Sequence, residues 1–200
     1  MAESLCPFLQ PGDLVFKGAS TALWTEMAAA WSDERDRRWG HVGLVLTVRR
    51  QSGDSPETVR KKPDCSARIV HADTGTGAPG EAPIPGSDIG AVRTVDLPAF
   101  LGDADHAGSF RLDVSPAERV TMLAWAANQA DHQTPFDRGY NLDSENNLYC
   151  TELIWRAMSV ALGHDAIPDK STRMGRTYVA LSDLSLHPLA REVAALDWRE

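Results

Sequence analysis

The feature that most restricts the fold is the run GHVGLVLTV at residues 40–48, which is apolar almost throughout. Such a run is typical of a strand in a sheet that is buried on both faces. A second strand is predicted at residues 67–73, ARIVHAD, and the polar stretch 49–66 predicts a long hairpin loop between them. His41 opens the first strand and His71 interrupts the second, so an antiparallel hairpin can place both rings on one face of the sheet.

The rest of the chain predicts further strands and helices around this hairpin. Strands are predicted at residues 11–18, 91–101 and 109–114, and helices at 20–31, 115–131 and 151–162. The helix at 115–131 has the clearest start, because Ser115 is a predicted cap and Glu118 completes a capping box. Residues 74–90 and 180–189 are rich in turn-forming residues and are expected to be irregular. This order is typical of an α+β domain with an antiparallel sheet covered by helices, and we expect residues 1–200 to form one domain.

The charge and hydropathy of the chain argue against several kinds of partner. The 200 residues carry a formal net charge of −8 at pH 7, whereas nucleic-acid-binding surfaces need clustered lysine and arginine. The same charge opposes simple attraction to an anionic membrane. We see no signal-peptide pattern and no membrane-spanning stretch of about 18 apolar residues. We therefore expect a cytoplasmic protein that binds no nucleic acid and has no stable insertion in a membrane.

The three cysteines, Cys6, Cys65 and Cys150, are an odd number at wide spacing. Such a pattern is a poor framework for disulfides and does not fit the ligand spacing of a zinc site. We therefore expect a reducing compartment, no role for Cys6 or Cys65, and no bound metal or other cofactor.

Cys150 differs from the other two cysteines because it directly precedes a predicted helix, in the stretch LYCTELIW at 148–155. A helix N-terminus carries partial positive charge and unpaired N–H groups, which lower the pKa of a thiol and can bind an oxyanion. An isolated cysteine or strand histidine is more often a packed structural residue. The combination of Cys150 with His41 and His71 favours a thiol nucleophile with a nearby proton acceptor.

Four segments in this order carry a resemblance to a known family: GDLVF, WGHVGLVL, IVHAD and LYCTELIW. Together with PFD at 135–137 and ALSDLSLHPL near the end, they resemble the permuted papain-like branch of the NlpC superfamily, YiiX-like group, from Gly12 to about Pro188. In that branch the histidine strand precedes the cysteine helix, as it does here. The resemblance implies a circularly permuted papain-like (NlpC-type) fold, with an antiparallel sheet or a small barrel packed against helices.

The resemblance also implies roles for the candidate site residues. Cys150 is the nucleophile, His41 is the general base, and His71 takes the position of the third member, where YiiX-like sequences often have glutamate. Asp73 is the alternative third member, because a neutral His71 supports an imidazolium less strongly than a carboxylate does. The reaction that follows is acyl transfer through a thioester, with the Cys150 N–H as the oxyanion donor.

The substrate is defined less closely than the site. Tyr149 and Tyr140 are candidates for a further hydroxyl donor and Trp39 for a substrate wall, although such aromatic residues more often pack in a core. The loop 74–90 follows His71 and is either a lid or a surface insertion without a role in the site. We expect a cysteine peptidase or amidase that acts on a small peptide, amide or lipid-like substrate. The alternatives are a lipid or thioester acyl hydrolase or acyltransferase, as in the related lecithin retinol acyltransferase group, and a catalytically inactive binding module.

Overall fold

A computed structural model describes residues 1–19, 35–50, 65–74, 90–102, 104–144 and 146–198 of the chain. The helix predicted at 20–31 lies outside the described residues, as does most of each of the loops predicted at 49–66 and 74–90.

Eight strands lie within the described ranges. They are β1 (Leu14–Gly18), β2 (His41–Arg50), β3 (Cys65–Asp73), β4 (Ala91–Asp96), β5 (His106–Leu112), β6 (Ser171–Arg173), β7 (Arg176–Tyr178) and β8 (Ala190–Asp197). Six of them form one antiparallel sheet in the order β4-β3-β2-β1-β5-β8, and β6 pairs with β7 in a separate hairpin. Over the described residues the large sheet is open, so the antiparallel-sheet form of the predicted permuted fold is the observed one, and not the small barrel.

The helices of the described residues are α1 (Ala2–Leu5), α2 (Leu97–Leu101), α3 (Pro116–Asp131), α4 (Cys150–Leu162) and α5 (Leu181–Ser185), with a 3-10 turn at Cys6–Phe8. The start of α3 is as predicted: Ser115 Oγ accepts the Glu118 N–H and the Glu118 carboxylate accepts the Ser115 N–H. The strand predicted at 91–101 is shorter, because the chain turns into α2 with Pro98 in its first turn. None of the helices in these ranges is long and apolar enough to cross a membrane.

The sheet is covered on both faces, as the apolar run in β2 predicts. Successive side chains of a strand point to opposite faces, so Val42 and Leu44 pack in a larger core with α3 and α4. Val45 points the other way, into a second core that contains Leu5 of α1 and Phe100 of α2. This arrangement places α4, whose first residue is Cys150, against the β2–β3 hairpin.

The cysteines depart from the expectation drawn from their spacing. Cys6 and Cys65 form a disulfide between the N-terminal turn and the first residue of β3, while Cys150 is a free thiol. The prediction that Cys6 and Cys65 have no partner is therefore wrong, because packing of the N-terminal segment in the second core brings together residues 59 positions apart. Disulfides persist mainly in oxidising compartments. The disulfide thus removes the reason for expecting a reducing compartment, and the cytoplasmic location stays a prediction.

Candidate active site

The site lies where β2 and β3 separate at one end of the sheet. The paired register of these strands runs from Arg50–Cys65 to Leu44–Val70, and His41 lies three residues beyond its end. His41 is instead paired with Lys17 of β1, and His71 with Arg93 of β4. His41 is therefore held by β1 and His71 by β4. The two side chains meet across the gap between the unpaired ends of β2 and β3.

The two histidine rings are in direct contact. His41 Nε2 lies 2.9 Å from His71 Nδ1, with an angle of 81° between the ring planes. Phe100 of α2 packs against both rings, with centroid distances of 5.6 Å to His41 and 5.3 Å to His71. His71 is only 1% exposed. Packing and the hydrogen bond thus fix the orientation of the pair, and His41 Nδ1 is the ring nitrogen not used in the contact with His71.

The free thiol approaches the same end of β2. Cys150 is the first residue of α4, and the nearby backbone N–H groups of Thr151 and Val42 act to lower the pKa of its thiol. Val42 directly follows His41 in β2, and Cys150 and His41 line one cavity. The structure therefore brings together the three residues that the sequence singled out, although they lie on two strands and a distant helix.

Burial controls the protonation of these groups. It raises the pKa of the Cys150 thiol to about 11, although the nearby backbone N–H groups act in the opposite direction. Burial also lowers the pKa of His41 well below its usual value, and the neighbouring His71, Lys17 and Arg93 lower it further. The expectation that the helix N-terminus gives a low thiol pKa is wrong, since desolvation outweighs it. At neutral pH the site holds a neutral thiol beside a neutral imidazole.

The alternative third member, Asp73, has a different partner. Its buried carboxylate forms an ion pair with Arg93 on the adjacent strand β4. Burial, followed by the charges of Lys17 and Arg93, lowers the pKa of His71 well below its usual value, so this residue is a neutral hydrogen-bonding partner. The residue against His41 is thus His71, and Asp73 lies in the neighbouring ion pair.

The residues on either side of Cys150 hold a segment that no sequence motif marks. The Tyr149 hydroxyl oxygen accepts the Val179 N–H at 2.9 Å, and Thr151 Oγ1 donates to the Val179 carbonyl at 2.6 Å. Burial raises the pKa of Tyr149, which keeps its hydroxyl protonated. The Tyr149 hydroxyl, predicted as an oxyanion donor, is therefore used in a hydrogen bond that holds Val179. Thr151 and Val179 were missed because their pairing spans 28 residues.

Tyr140, the second predicted hydroxyl, lines the cavity beside Cys150. Its backbone has a φ of 48°, in the left-handed region that a non-glycine residue seldom adopts. The buried carboxylate of Asp137, in the PFD segment, supports this conformation by accepting the N–H groups of Gly139 and Asn141, each at 2.7 Å. The Tyr140 ring packs against Tyr149 with the centroids 5.1 Å apart. These contacts place the Tyr140 side chain in the cavity that Cys150 also lines.

The first turn of α4 is tied to the loop that carries Tyr140. Glu152 is fully buried and accepts hydrogen bonds from Arg156 at 2.9 Å and from the Tyr149 N–H at 3.4 Å. Arg156 also donates to the carbonyls of Leu142 and Ser144. Burial raises the pKa of Glu152 to about 7. Sequence reasoning missed this pair, whose only local signal is the i,i+4 spacing on α4.

Trp39 does not form the substrate wall that its position beside His41 suggested. The side chain is 2% exposed and packs against Phe16 and Phe110, with ring centroids 5.7 Å and 6.0 Å away. Its indole N–H donates to Asp36 at 3.1 Å. The ring is turned into the larger core, and the prediction of a substrate-binding Trp39 is wrong.

The cavity at the thiol has a volume of about 40 Å³. Its lining residues are Gly40, His41, Thr74, Phe136, Tyr140, Tyr149, Cys150, Thr151, Val179 and Leu181. Thr74 opens the loop predicted at 74–90, and residues 75–89 lie outside the described ranges. In the part of the chain that the structure describes, no group of three or more His, Cys, Asp or Glu side chains is placed to hold a metal ion.

Comparison with known proteins identifies the family. Residues 8–180 match the family described as permuted papain-like amidase enzyme, YaeF/YiiX, C92 family. The chain is also similar to the crystal structure of the metalloprotein yiiX from Escherichia coli O157:H7, with a TM-score of 0.60 and 15% identity over 95% of this chain and 98% of that one. At this identity the likeness shows the fold alone. No curated protein matches the chain. Since the family match covers most of its length, the chain belongs to the permuted papain-like amidases of the YaeF/YiiX, C92 family, which are cysteine hydrolases.

Proposed function

We propose that the protein is a cysteine amidase in which Cys150, His41 and His71 act as nucleophile, general base and orienting residue. The observation that carries this proposal is the convergence of the three: Cys150 and His41 line one cavity, and His71 Nδ1 lies 2.9 Å from His41 Nε2. Amide hydrolysis is favoured over lipid acyl transfer because the family is one of amidases. We further propose that residues 1–200 act as one such domain.

The contact between the histidines is compatible with the tautomer that the reaction needs. In that tautomer His41 Nε2–H donates to His71 Nδ1, which leaves the lone pair of His41 Nδ1 for the thiol proton. Because thiol and imidazole are both neutral at rest, proton transfer accompanies attack: the sulfur bonds to the carbonyl carbon while His41 Nδ1 takes its proton. A neutral His71 fixes the ring without adding a negative charge.

The oxyanion formed by this attack needs donors at the start of α4. The Cys150 N–H is one, because it lies in the first turn of a helix, where N–H groups have no intrahelical partner. We propose the Tyr140 hydroxyl as the second, since it belongs to a residue that lines the cavity and burial raises its pKa, so that the proton is retained. Tyr149 is the weaker candidate because the hydrogen bond from the Val179 N–H holds its hydroxyl oxygen at Val179.

Collapse of the tetrahedral intermediate completes the first half of the reaction. The carbon–nitrogen bond breaks, and the leaving amine takes the proton from His41. An imidazolium whose pKa is lowered by burial is a strong acid, which suits it to protonate a poor leaving group such as an amine. His41 then accepts a proton from water, the resulting hydroxide attacks the thioester, and the released sulfur recovers the proton.

The proposal is tested by alkylation of the native, unreduced protein with iodoacetamide, followed by peptide mapping. Cys150 should be the labelled residue, since Cys6 and Cys65 are bonded to each other. His41→Ala should slow labelling by about a hundredfold, the usual contribution of a general base. His164→Ala, at an exposed histidine beyond α4, is the matched control and should label at the wild-type rate.

A substrate screen tests the reaction itself. Small amides, thioesters and lipid esters are incubated with wild type and with Cys150→Ala, and products are followed by mass spectrometry. We expect release of amine from amides by the wild type only. Equal labelling of the His41→Ala and wild-type proteins, together with no turnover of any compound, would favour the inactive binding module.

A further inference from the structure

Val179 forms a wall of the reaction cavity and is held by both neighbours of the nucleophile. Its N–H is bonded to the Tyr149 hydroxyl and its carbonyl to Thr151 Oγ1, so one peptide segment bridges the residues before and after Cys150. Val179 is 2% exposed. The backbone at this position cannot shift without breaking two buried hydrogen bonds.

The chain that follows Val179 is anchored as firmly. The Ala180 N–H donates to the Asp183 carboxylate at 2.8 Å. The same carboxylate accepts the Ser171 N–H at 3.1 Å and the Ser171 hydroxyl at 2.9 Å. Asp183 thus joins the start of α5 to the start of β6, and the wall has fixed supports on both sides.

The cavity in front of this wall is small. Its 40 Å³ compares with roughly 300–1,000 Å³ for pockets that enclose ordinary ligands. A water needs about 10–15 Å³ of such space, so the cavity has room for about three waters. A small acyl group such as acetyl is of comparable size, whereas a branched or aromatic acyl group is larger and meets the lining, of which Val179 is part.

We propose that Val179 is a specificity-determining residue that restricts Cys150 to small acyl groups, of acetyl or glycyl size. Tyr149 and Thr151 are positioning residues that hold it in place. An acyl group as the substrate rests on the proposed amidase function, whereas the size limit applies to any electrophile that reaches the sulfur. The two ideas can therefore fail separately.

The size limit is tested with two alkylating agents on the native protein, iodoacetamide and its N-phenyl derivative. Each rate is divided by the rate of the same reagent with glutathione, which removes the difference in intrinsic reactivity. The wild type should react with the larger reagent about tenfold more slowly, the smaller end of what steric exclusion from an apolar pocket gives. Val179→Ala should bring the two corrected rates close together, and Val179→Ile should slow both reagents.

Matched controls separate the wall from general loosening of the fold. Val160→Ala, at a valine of α4 that is 48% exposed, should keep the wild-type ratio. Thr151→Val, which keeps the shape but removes the donor, should lose the size preference, and Thr151→Ser should keep it. Thermal unfolding shows that each variant is folded, and if Val179→Ala does not fold, Val179→Ile and the Thr151 pair decide the question.

The outcomes are distinct. A Val179→Ala protein with the wild-type ratio, or a Thr151→Val protein that matches Thr151→Ser, overturns the proposal. A wild type that shows the size preference but cleaves no amide rejects the amidase function and still supports Val179 as the residue that limits size. If the amidase activity is found, Val179→Ala should extend it from acetyl to larger acyl amides, measured as a rise in kcat/KM for the larger substrate only.

Discussion

Raising the pH through the alkaline range should deprotonate Cys150 late, because burial raises its pKa from the ordinary 9.0 to about 11. A rise of two pKa units corresponds to about a hundredfold less thiolate at neutral pH, or about 3 kcal/mol between the two protonation states. The ultraviolet absorbance of the thiolate measures this directly. Cys150→Ala supplies the background, and the Cys6–Cys65 disulfide contributes no titrating thiol.

The same experiment distinguishes two kinds of cysteine site. If thiol and imidazole are neutral at rest, His41→Ala should leave the pKa of Cys150 nearly unchanged while slowing alkylation, since His41 acts only as the proton is transferred. If the resting site held a thiolate–imidazolium pair, the wild-type pKa would lie well below 9 and His41→Ala would raise it. A wild-type titration in the neutral range would therefore refute the burial argument.

Linkage gives the effect on stability and its sign. The folded-state pKa of Cys150 lies above the unfolded-state value, so its contribution to stability is complete below about pH 9 and is lost as the pH rises toward 11. Urea unfolding across this range should show a steeper alkaline loss for wild type than for Cys150→Ala. Equal slopes would contradict the raised pKa.

Three further predictions concern His71, Glu152 and the disulfide. His71→Glu should raise the pKa of His41, because a carboxylate stabilises an imidazolium, and should move the acidic limb of the pH–rate profile to higher pH; an unchanged limb would count against His71 as the orienting residue. Glu152 has a folded-state pKa of about 7, above its ordinary 4.5, so its contribution to the stability of the wild type should be lost as the pH rises from about 4.5 to 7 and Glu152→Gln should show no such loss, as measured by urea midpoints. Reducing the Cys6–Cys65 disulfide should lower the free energy of unfolding by about 4 kcal/mol in the chain-entropy model, and a Cys6→Ser/Cys65→Ser protein should show no response to reductant.

The parts of the site that the sequence predicted are those with a local signature. The apolar run of β2 and the interrupted run of β3 identify strands from a few residues each, and they carry His41 and His71 with them. The motif order around Cys150 identifies the permuted family. These signals lie within short windows, so burial and pairing follow from the pattern of apolar residues.

The parts that could not be predicted depend on contacts between distant segments. The disulfide and the hold on Val179 join residues 59 and 28 positions apart, and no local pattern encodes such a pairing. The direction of Trp39 and the pKa of Cys150 are set by how closely the surrounding core packs. A helix N-terminus lowers the pKa of a thiol in any sequence. Only the structure shows that burial raises the pKa of Cys150 by more than the helix start lowers it.

The gap between β2 and β3 explains how a permuted chain order still builds one site. Pairing stops at Leu44–Val70, so the first residues of β2 stay paired with β1 and the last residues of β3 with β4, and the two histidines meet between them. Cys150, the first residue of α4, lines a cavity with His41 at this same end of β2. A helix that reaches this gap from either end of the chain meets the same pair of histidines. Chain order is therefore free to vary while the end of the hairpin and the first turn of the helix are kept together.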